Sequence, residues 1–394
     1  MTDTHEATSG RNALGTLLRS ARRMHPDDLP EAVASALEQV GARDVEILLI
    51  DLNQRELRGF GGRDTVHDVD DSPAGEAFRT EQPVVSQDGD RLRIFLPVAD
   101  TMRVGVLAVT AESVDHDTLE ALQEIAALTG ELIATRGAYG DGIALTRRSK
   151  HTSLAAEMRW ALLPPTRFLS DSVSLSGALE PAYDIAGDAF DYALNGKFLE
   201  FGILDAVGHG LEASRMASVA ATSYRHSRRE KLGLSASVLA LDEVVADQFG
   251  DSRFVTAQLG SLNLTTGRLR LVSAGHPFPL HLRHGSEARE LECAPYLPAG
   301  LGRGAPSTGE ELDVTLEPGD SVLFYSDGVT EARSPDGEFF GPERLARRFT
   351  ELMKKDLPLA EVTRALMGDV LGHQKTHLHD DATLLLVQWL QPRR

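Results

Sequence analysis

Twice in this chain an apolar run of strand length stops at an aspartate and gives way to glycine. The two runs are Phe201-Gly202-Ile203-Leu204-Asp205-Ala206-Val207-Gly208-His209-Gly210 and Val322-Leu323-Phe324-Tyr325-Ser326-Asp327-Gly328. Two further segments, Asp184-Ile185-Ala186-Gly187-Asp188-Ala189-Phe190-Asp191-Tyr192 and His379-Asp380-Asp381-Ala382-Thr383, set aspartates beside a strand-like run. A strand that ends at a carboxylate delivers it to the end of a sheet, where carboxylates from distant parts of the chain can converge. Clustered carboxylates repel one another unless hard cations neutralise them. Taken singly, each segment is first of all a turn signal. Their recurrence at four strand ends is what points to a metal centre, and oxygen ligands without cysteine favour magnesium or manganese over zinc.

The 394 residues allow two or three domains, and a hydrophobic share of 42% lets each build a core. A net charge of −19 argues against nucleic acid or an anionic membrane as partner. Cys293 is the single cysteine, which excludes an intrachain disulfide, a thiolate zinc site and a Cys-x-x-Cys redox motif. Residues Met1 to Asn12 are polar, without the apolar stretch of a signal peptide, and no apolar run reaches the roughly 18 residues of a membrane span. A soluble, cytoplasmic protein is expected.

Apolar periodicity divides the chain into four parts. Residues 1–26 are a polar start with a short basic helix. Residues 27–137 form a compact α+β unit: a helix over Leu29 to Val40, strands over Val45 to Leu52, Leu92 to Val98 and Val104 to Val109, an acidic turn at Asp68 to Ser72, a short helix at Ala74 to Phe78, and an amphipathic helix over Leu119 to Thr135. Residues 138–165 are a linker with one helical stretch from Ile143 to Leu163, ended by Pro164-Pro165. Its stripe of Leu154, Met158 and Leu162 is either a coiled-coil dimer seam or a face docked on its own domain. Residues 166–391 are strand-rich, with strands near Val173 to Leu179, Phe198 to Leu204, Val255 to Leu264, Leu269 to Ala274, Leu280 to Leu282, Ser321 to Tyr325 and Ala382 to Trp389. Two helices, Ala213 to Arg229 and Ser235 to Phe249, interrupt them, so two sheets packed face to face with helices outside are expected.

Other candidate residues carry weaker signals. His209 lies between glycines and is either a phosphate or water support or a hydrogen-bonded turn residue. His276, in Ser273-Ala274-Gly275-His276-Pro277, is expected to be structural, Asp191 could be a cap, and His377 with His379 has a spacing that fits a metal or an exposed loop. Gly300-Leu301-Gly302-Arg303-Gly304 lacks the strand and helix of a nucleotide loop, and neither a P-loop nor a Gly-x-Ser-x-Gly motif occurs.

Taken in order, the aspartate segments together with Ala274-Gly275-His276-Pro277 and Tyr325-Ser326-Asp327-Gly328-Val329-Thr330-Glu331-Ala332 resemble the metal-dependent protein phosphatases of type 2C (PPM), in their bacterial SpoIIE/RsbU branch. The resemblance runs from about Leu163 to Trp389. It departs from the family at Ala186-Gly187-Asp188, where Gly-Gly-Asp is usual, and in lacking the glutamate that animal enzymes use beside that aspartate. The N-terminal unit resembles a GAF sensor domain, through Ser72-Pro73-Ala74-Gly75-Glu76-Ala77-Phe78, Phe95-Leu96-Pro97-Val98 and Val104-Gly105-Val106-Leu107.

The resemblance implies an α/β (α+β) fold, a four-layer αββα sandwich preceded by the GAF-like domain, with two Mn2+ or Mg2+ ions. Carried over by position, Asp205 bridges both ions, the Ala206 carbonyl binds one, Asp327 and Asp380 hold the other, and Asp188 completes the site directly or through water. Asp191, Gly208, His209, Gly210, His276 and Asp381 stand as supporting residues. The implied reaction is attack of metal-activated water on phosphoserine or phosphothreonine, on a STAS-type anti-sigma-factor antagonist in a sigma-factor pathway. A homodimer is implied, with the GAF-like domain binding a small molecule or serving dimerisation, and setting activity through the helices after Asp205. Two rivals are a sensor or scaffold that no longer turns over and a metal-dependent hydrolase of a small phosphoester.

Overall fold

The aliphatic run ending at Ile50 is too buried for an edge position and forms strand β1 (Arg43–Ile50) inside a six-stranded antiparallel sheet. In the computed structural model that sheet belongs to the first of two units, which divide between His151 and Thr152. The structure describes residues 3–99, 103–183, 187–250, 252–302, 309–375 and 380–390. With β2 (Glu56–Gly59), β3 (Val66–Asp68), β4 (Val84–Asp88), β5 (Arg91–Val98) and β6 (Gly105–Ala111), the first sheet has the order β3-β2-β1-β6-β5-β4. Helices α1 (Asp3–Ala21), α2 (Leu29–Glu38) and α4 (His116–Arg136) share one core that includes Leu17, Leu37, Ile47, Ile125 and Ile133. On the other face α3 (Pro73–Thr80) packs through Ala74, Ala77 and Phe78. Ser72 caps α3, its hydroxyl accepting from Gly75 N at 3.0 Å.

Two expected boundaries move. Residues 1–26 are not a separate segment, because Ala13 and Leu17 of α1 are fully buried in the first core. The helix expected over Ile143 to Leu163 is two short helices, α5 (Gly142–Thr146) and α6 (Leu154–Leu162). Between them the chain returns to the end of β1: Arg147 Nε donates to Ile50 O at 3.0 Å and Ser149 Oγ to Asp51 Oδ2 at 3.0 Å. Ser153 then starts α6, its hydroxyl accepting from Ala156 N. Leu154 is 65% exposed, whereas Ala155, Ala156 and Arg159 are buried and Leu162 packs against the second unit's core. The linker 138–165 is thus shared between the units, and Leu154, Met158 and Leu162 all lie on α6.

The second unit places two antiparallel sheets face to face. One comprises β9 (Asp188–Asn195), β10 (Phe198–Ala206), β11 (Val255–Asn263), β12 (Arg268–Ala274) and β15 (Leu312–Thr315), in the order β15-β12-β11-β10-β9. The other comprises β7 (Arg167–Leu169), β8 (Val173–Glu180), β13 (Leu280–Leu282), β14 (Arg289–Glu290), β16 (Ser321–Tyr325) and β17 (Ala382–Trp389), in the order β14-β13-β16-β17-β8-β7. Between them lies a core of Leu175, Phe190, Phe201, Ile203, Phe324 and Leu385, with the Phe201 and Phe324 rings edge-to-face at 5.0 Å. Helices α7 (Gly210–Arg229) and α8 (Leu234–Phe249) cover the outside of the first sheet, and α10 (Pro342–Met353) with α11 (Leu359–Gln374) cover the second. The result is the four-layer αββα sandwich that the sequence suggested.

Candidate metal centre

Side chains alternate across a strand, so inward positions recur every second residue. At one end of the sandwich all four inner rows change from apolar to polar. Phe190 is followed inward by Asp188 on β9, Ile203 by Asp205 on β10, Phe324 by Ser326 after β16, and Leu385 by Thr383 on β17. Asp188 and Asp205 are directly opposite each other in register. Two like charges so placed are destabilising unless something neutralises them.

The second sheet supplies hydroxyls to this end. Ser326 Oγ and Thr383 Oγ1 both donate to Asp188 Oδ2 at 2.6 Å, and Thr383 N donates to Ser326 Oγ at 3.0 Å. Asp188 is only 2% exposed, so its carboxyl is fixed between the sheets. Asp327 is the first residue of the short helix α9 (Asp327–Thr330). Asp380 lies exposed at the rim, its Oδ1 accepting from Asp381 N at 2.9 Å. Asp381 points inward from there: its Oδ2 accepts from Asp188 N at 3.2 Å and from Gly187 N, and its Oδ1 is 3.0 Å from Arg159 Nη1.

These carboxylates form one electrostatic unit. Burial pushes Asp188 well above the ordinary carboxylate range, and Asp205 and Asp381 push it further. Burial, then Asp327 and Asp380, raises Asp205 to about 7. Asp381 is raised as well, mainly by burial, although Arg159 opposes the rise, and Asp380 is raised at the rim by partial desolvation and then by the charges of Asp327 and Asp381. Groups that hold protons this tightly are groups a divalent cation would deprotonate. The donor set fits Mg2+ or Mn2+: hard carboxylate oxygens beside the Ala206 backbone, with no thiolate or imidazole needed. Among the described residues no three acidic, histidine or cysteine side chains form a ready-made ion cage.

Other expected residues fall elsewhere. Asp191, three residues along β9 from Asp188, faces the helix side, where Arg225 grips both its oxygens at 3.0 Å and Arg228 adds a further bond. It is a clamp between β9 and α7, apart from the carboxylate cluster. Gly208 has φ +104°, which a side chain would strain, and it turns the chain from β10 towards α7. His209 is exposed at the N-cap position of α7 with no side-chain cap bond, and Gly210 is the first residue of that helix. In the glycine-rich run, the amides of Gly300 and Gly302 donate to Asp242 Oδ1 of α8 at 2.7 and 2.8 Å, which ties the loop to the helix. Asp184, Ile185, Ala186, Arg303, Gly304, His377 and His379 lie outside the described residues.

Sequence reasoning overlooked Ser326, Thr383 and Arg159 as site residues. The hydroxyls had a legible signal, since each interrupts an apolar inward row; Arg159 had none.

His276 is buried, with Nδ1 2.8 Å from Thr256 Oγ1, and Thr256 is the β11 neighbour of Asp205. Burial lowers the imidazole pKa to about 3. The unfolded chain, with an ordinary value near 6.5, therefore binds more protons as pH falls, and stability declines with it between roughly 6.5 and 3. The carboxylates give the opposite slope, so the test is a difference. The stability advantage of wild type over His276→Gln is expected to shrink by about 2 kcal/mol between pH 6.5 and 5 in denaturant titrations. A constant difference would show that the folded imidazole titrates normally.

A family model described as stage II sporulation protein E (SpoIIE) matches residues 195–390. Among curated proteins, the chain is 25% identical over 238 residues to phosphoserine phosphatase RsbU of Bacillus subtilis (strain 168), covering 60% of this chain and 69% of that protein. It is 24% identical over 243 residues to protein IcfG of a Synechocystis strain, covering 54% of this chain and 37% of that protein. Among solved structures, the RsbU and RsbW domains of a Mycobacterium tuberculosis protein align with a TM-score of 0.50 at 26% identity, over 57% of this chain and 62% of that one. The SiaA-PP2C domain of Pseudomonas aeruginosa aligns with a TM-score of 0.50 at 20% identity, over 65% of this chain and 99% of that domain, a likeness of fold alone. The matches thus span part of each curated relative and reach into the second structural unit of this chain in every case.

Proposed function

Since this chain belongs to the SpoIIE family of PP2C-type protein phosphatases through its second unit, we propose that it is a metal-dependent serine/threonine phosphoprotein phosphatase. The observation that carries this reading is the pairing of Asp188 with Asp205 at the polar end of the sandwich, with Asp327 and Asp380 delivered to the same end by the other sheet. In this reading Asp205 would be a ligand to both cations, the Ala206 carbonyl would hold one of them, and Asp327 and Asp380 would hold the other. Asp188 has one oxygen committed to Ser326 and Thr383, so it orients Asp205 and completes the site through its remaining oxygen. Bound divalent cations would supply the Lewis acidity that activates water and neutralises phosphoryl oxygens. The chain's own part is to fix the carboxylates rigidly, so that little reorganisation is left for the reaction. No side-chain nucleophile is required.

The similarity to a protein named phosphoserine phosphatase supports phosphoserine, with phosphothreonine, as the substrate class. The same branch supports an anti-sigma-factor antagonist of STAS type as the phosphoprotein, and a sigma-factor pathway as the setting. The first unit, a mixed sheet–helix domain with a capped α3 against its second face, serves as a GAF-like sensor that acts on the helices after Asp205, in a homodimer in the cytoplasm. No helix among the described residues is long and apolar enough to cross a membrane.

The test is phosphate release by the full chain from a phosphoserine protein and from nucleotides, with Mn2+, Mg2+ or chelator. Release from the phosphoprotein with Mn2+ or Mg2+, lost with chelator and in Asp327→Ala, is expected. Preference for nucleotides would move the assignment to a small-phosphoester hydrolase. No release from any substrate would leave a scaffold.

A further inference from the structure

We propose that Arg159, on the helix through which the chain enters the second unit, is a positioning residue for the metal centre, acting through Asp381. The inference rests on the metal-centre reading above and concerns what holds its ligands in place. Arg159 and Asp381 are 222 positions apart, each side chain 2% exposed, and their Nη1 and Oδ1 atoms are 3.0 Å apart. The same guanidinium donates to Pro181 O, the neighbouring Trp160 Nε1 donates to Ala182 O at 2.8 Å, and Ser153 N to Tyr183 O at 3.0 Å. Helix α6 therefore grips residues 181–183 directly and residues 187–188 through Asp381, whose Oδ2 receives both the Gly187 and Asp188 amides. Those two amides set where β9 begins, and hence where the Asp188 carboxyl meets Asp205.

Charge gives the pair a second effect. Asp381 brings a fifth negative charge to the end of the sandwich that holds Asp188, Asp205, Asp327 and Asp380. Arg159 offsets that charge at its source, so the remaining carboxylates stay available to cations. A buried carboxylate that loses the cation paired with it is strongly penalised, and it relaxes by moving towards water. That movement would loosen its hold on the Gly187 and Asp188 amides. Arg159 is buried and acts through Asp381, which makes it a positioning residue.

The experiment compares wild type, Arg159→Met and the double variant Arg159→Met/Asp381→Asn in the full chain. Mn2+ affinity is read from the electron paramagnetic resonance signal of free Mn2+, and amide hydrogen exchange is read at Gly187 and Asp188. Arg159→Met is expected to weaken Mn2+ binding about 10- to 100-fold, the range for groups that orient metal ligands, and to remove protection at both amides. In the double variant the single asparagine oxygen can accept both amides without a buried charge. Mn2+ affinity should then return to within about twofold of wild type, the margin within which uncoupled effects add. Unchanged affinity and protection in Arg159→Met would overturn the proposal, as would a loss that Asp381→Asn does not repair, since that would make Arg159 a packing residue of α6. If Arg159→Met fails to fold, the double variant decides: restored folding and Mn2+ binding support the pair, and failure refutes it. Absence of Mn2+ binding by wild type would count against the metal centre itself, while the exchange data would still judge the ion pair.

Discussion

Asp205→Asn is expected to lower Mn2+-dependent phosphate release by at least about a thousand-fold, roughly 4 kcal/mol of transition-state stabilisation, while making the metal-free protein more stable. Both effects come from one position. Asp205 stands directly opposite Asp188, and burial, then the charges of Asp327 and Asp380, raises its pKa to about 7. An amide of the same shape removes the shared ligand and also removes the repulsion. Without metal, the folded wild type holds protons that the unfolded chain releases near pH 4, so its stability falls as pH rises from there to about 7. Bound Mn2+ would reverse that loss by mass action. Thermal unfolding at pH 7.5 therefore distinguishes the two proteins. Wild type should melt lower than Asp205→Asn in chelator and rise with added Mn2+, and the variant should show little response. Each kcal/mol corresponds to about 2–4 °C for a domain of this size. A variant that keeps its activity, or melts below wild type in chelator, would remove Asp205 from the site.

The second large effect is steric. Gly328, one residue after Asp327, lies so close to the Asp381 carbonyl oxygen that a β-carbon would overlap it, and that β-carbon would also stand 3.5 Å from Ala382 Cα. Here the end of β16 passes the start of β17, and both backbones carry site carboxylates. Gly328→Ala must push the two segments apart, at a cost of about 1–3 kcal/mol typical of overpacking, and it must shift Asp327 against Asp380. Gly368→Ala is the matched control. Gly368 lies in α11 with open space around its missing β-carbon, so the same change there is expected to stabilise by about 0.5–1 kcal/mol. Opposite signs in denaturant titration, with weakened Mn2+ binding for Gly328→Ala alone, are the expected result. Equal, harmless effects would mean that the two strand ends have room to separate.

Much of the architecture was readable before any coordinates. The strands over Phe198 to Leu204, Val255 to Leu264 and Ala382 to Trp389, and the helices before and after Gly233, recur in the structure because long apolar runs dictate their own burial. Strands β2, β3, β4 and β9 were missed because they are short, or carry charges such as Asp191 whose partners come from a helix more than thirty residues away. Helices α10 and α11 were also left out of the sequence reading, although both bury apolar faces on the second sheet. The linker was misread as one helix because local spacing cannot reveal that Arg147 and Ser149 turn back to the end of β1.

The four aspartate segments, their order and the run that ends each of them are properties of the sequence, and they sufficed to suggest carboxylates, hard cations and a phosphatase. Once β9 is known to be a strand, the odd spacing of Asp188 and Asp191 sets them on opposite faces, since side chains alternate. What only the tertiary structure decided is which of them meets Asp205. Register pairs Asp188 with it, the facing sheet locks Asp188 with Ser326 and Thr383, and Arg225 with Arg228 takes Asp191 away. The same holds for Arg159 and Asp381, 222 residues apart. Electrostatic partners are set by distance in space and by the low dielectric of a buried site, and neither quantity is written in sequence separation.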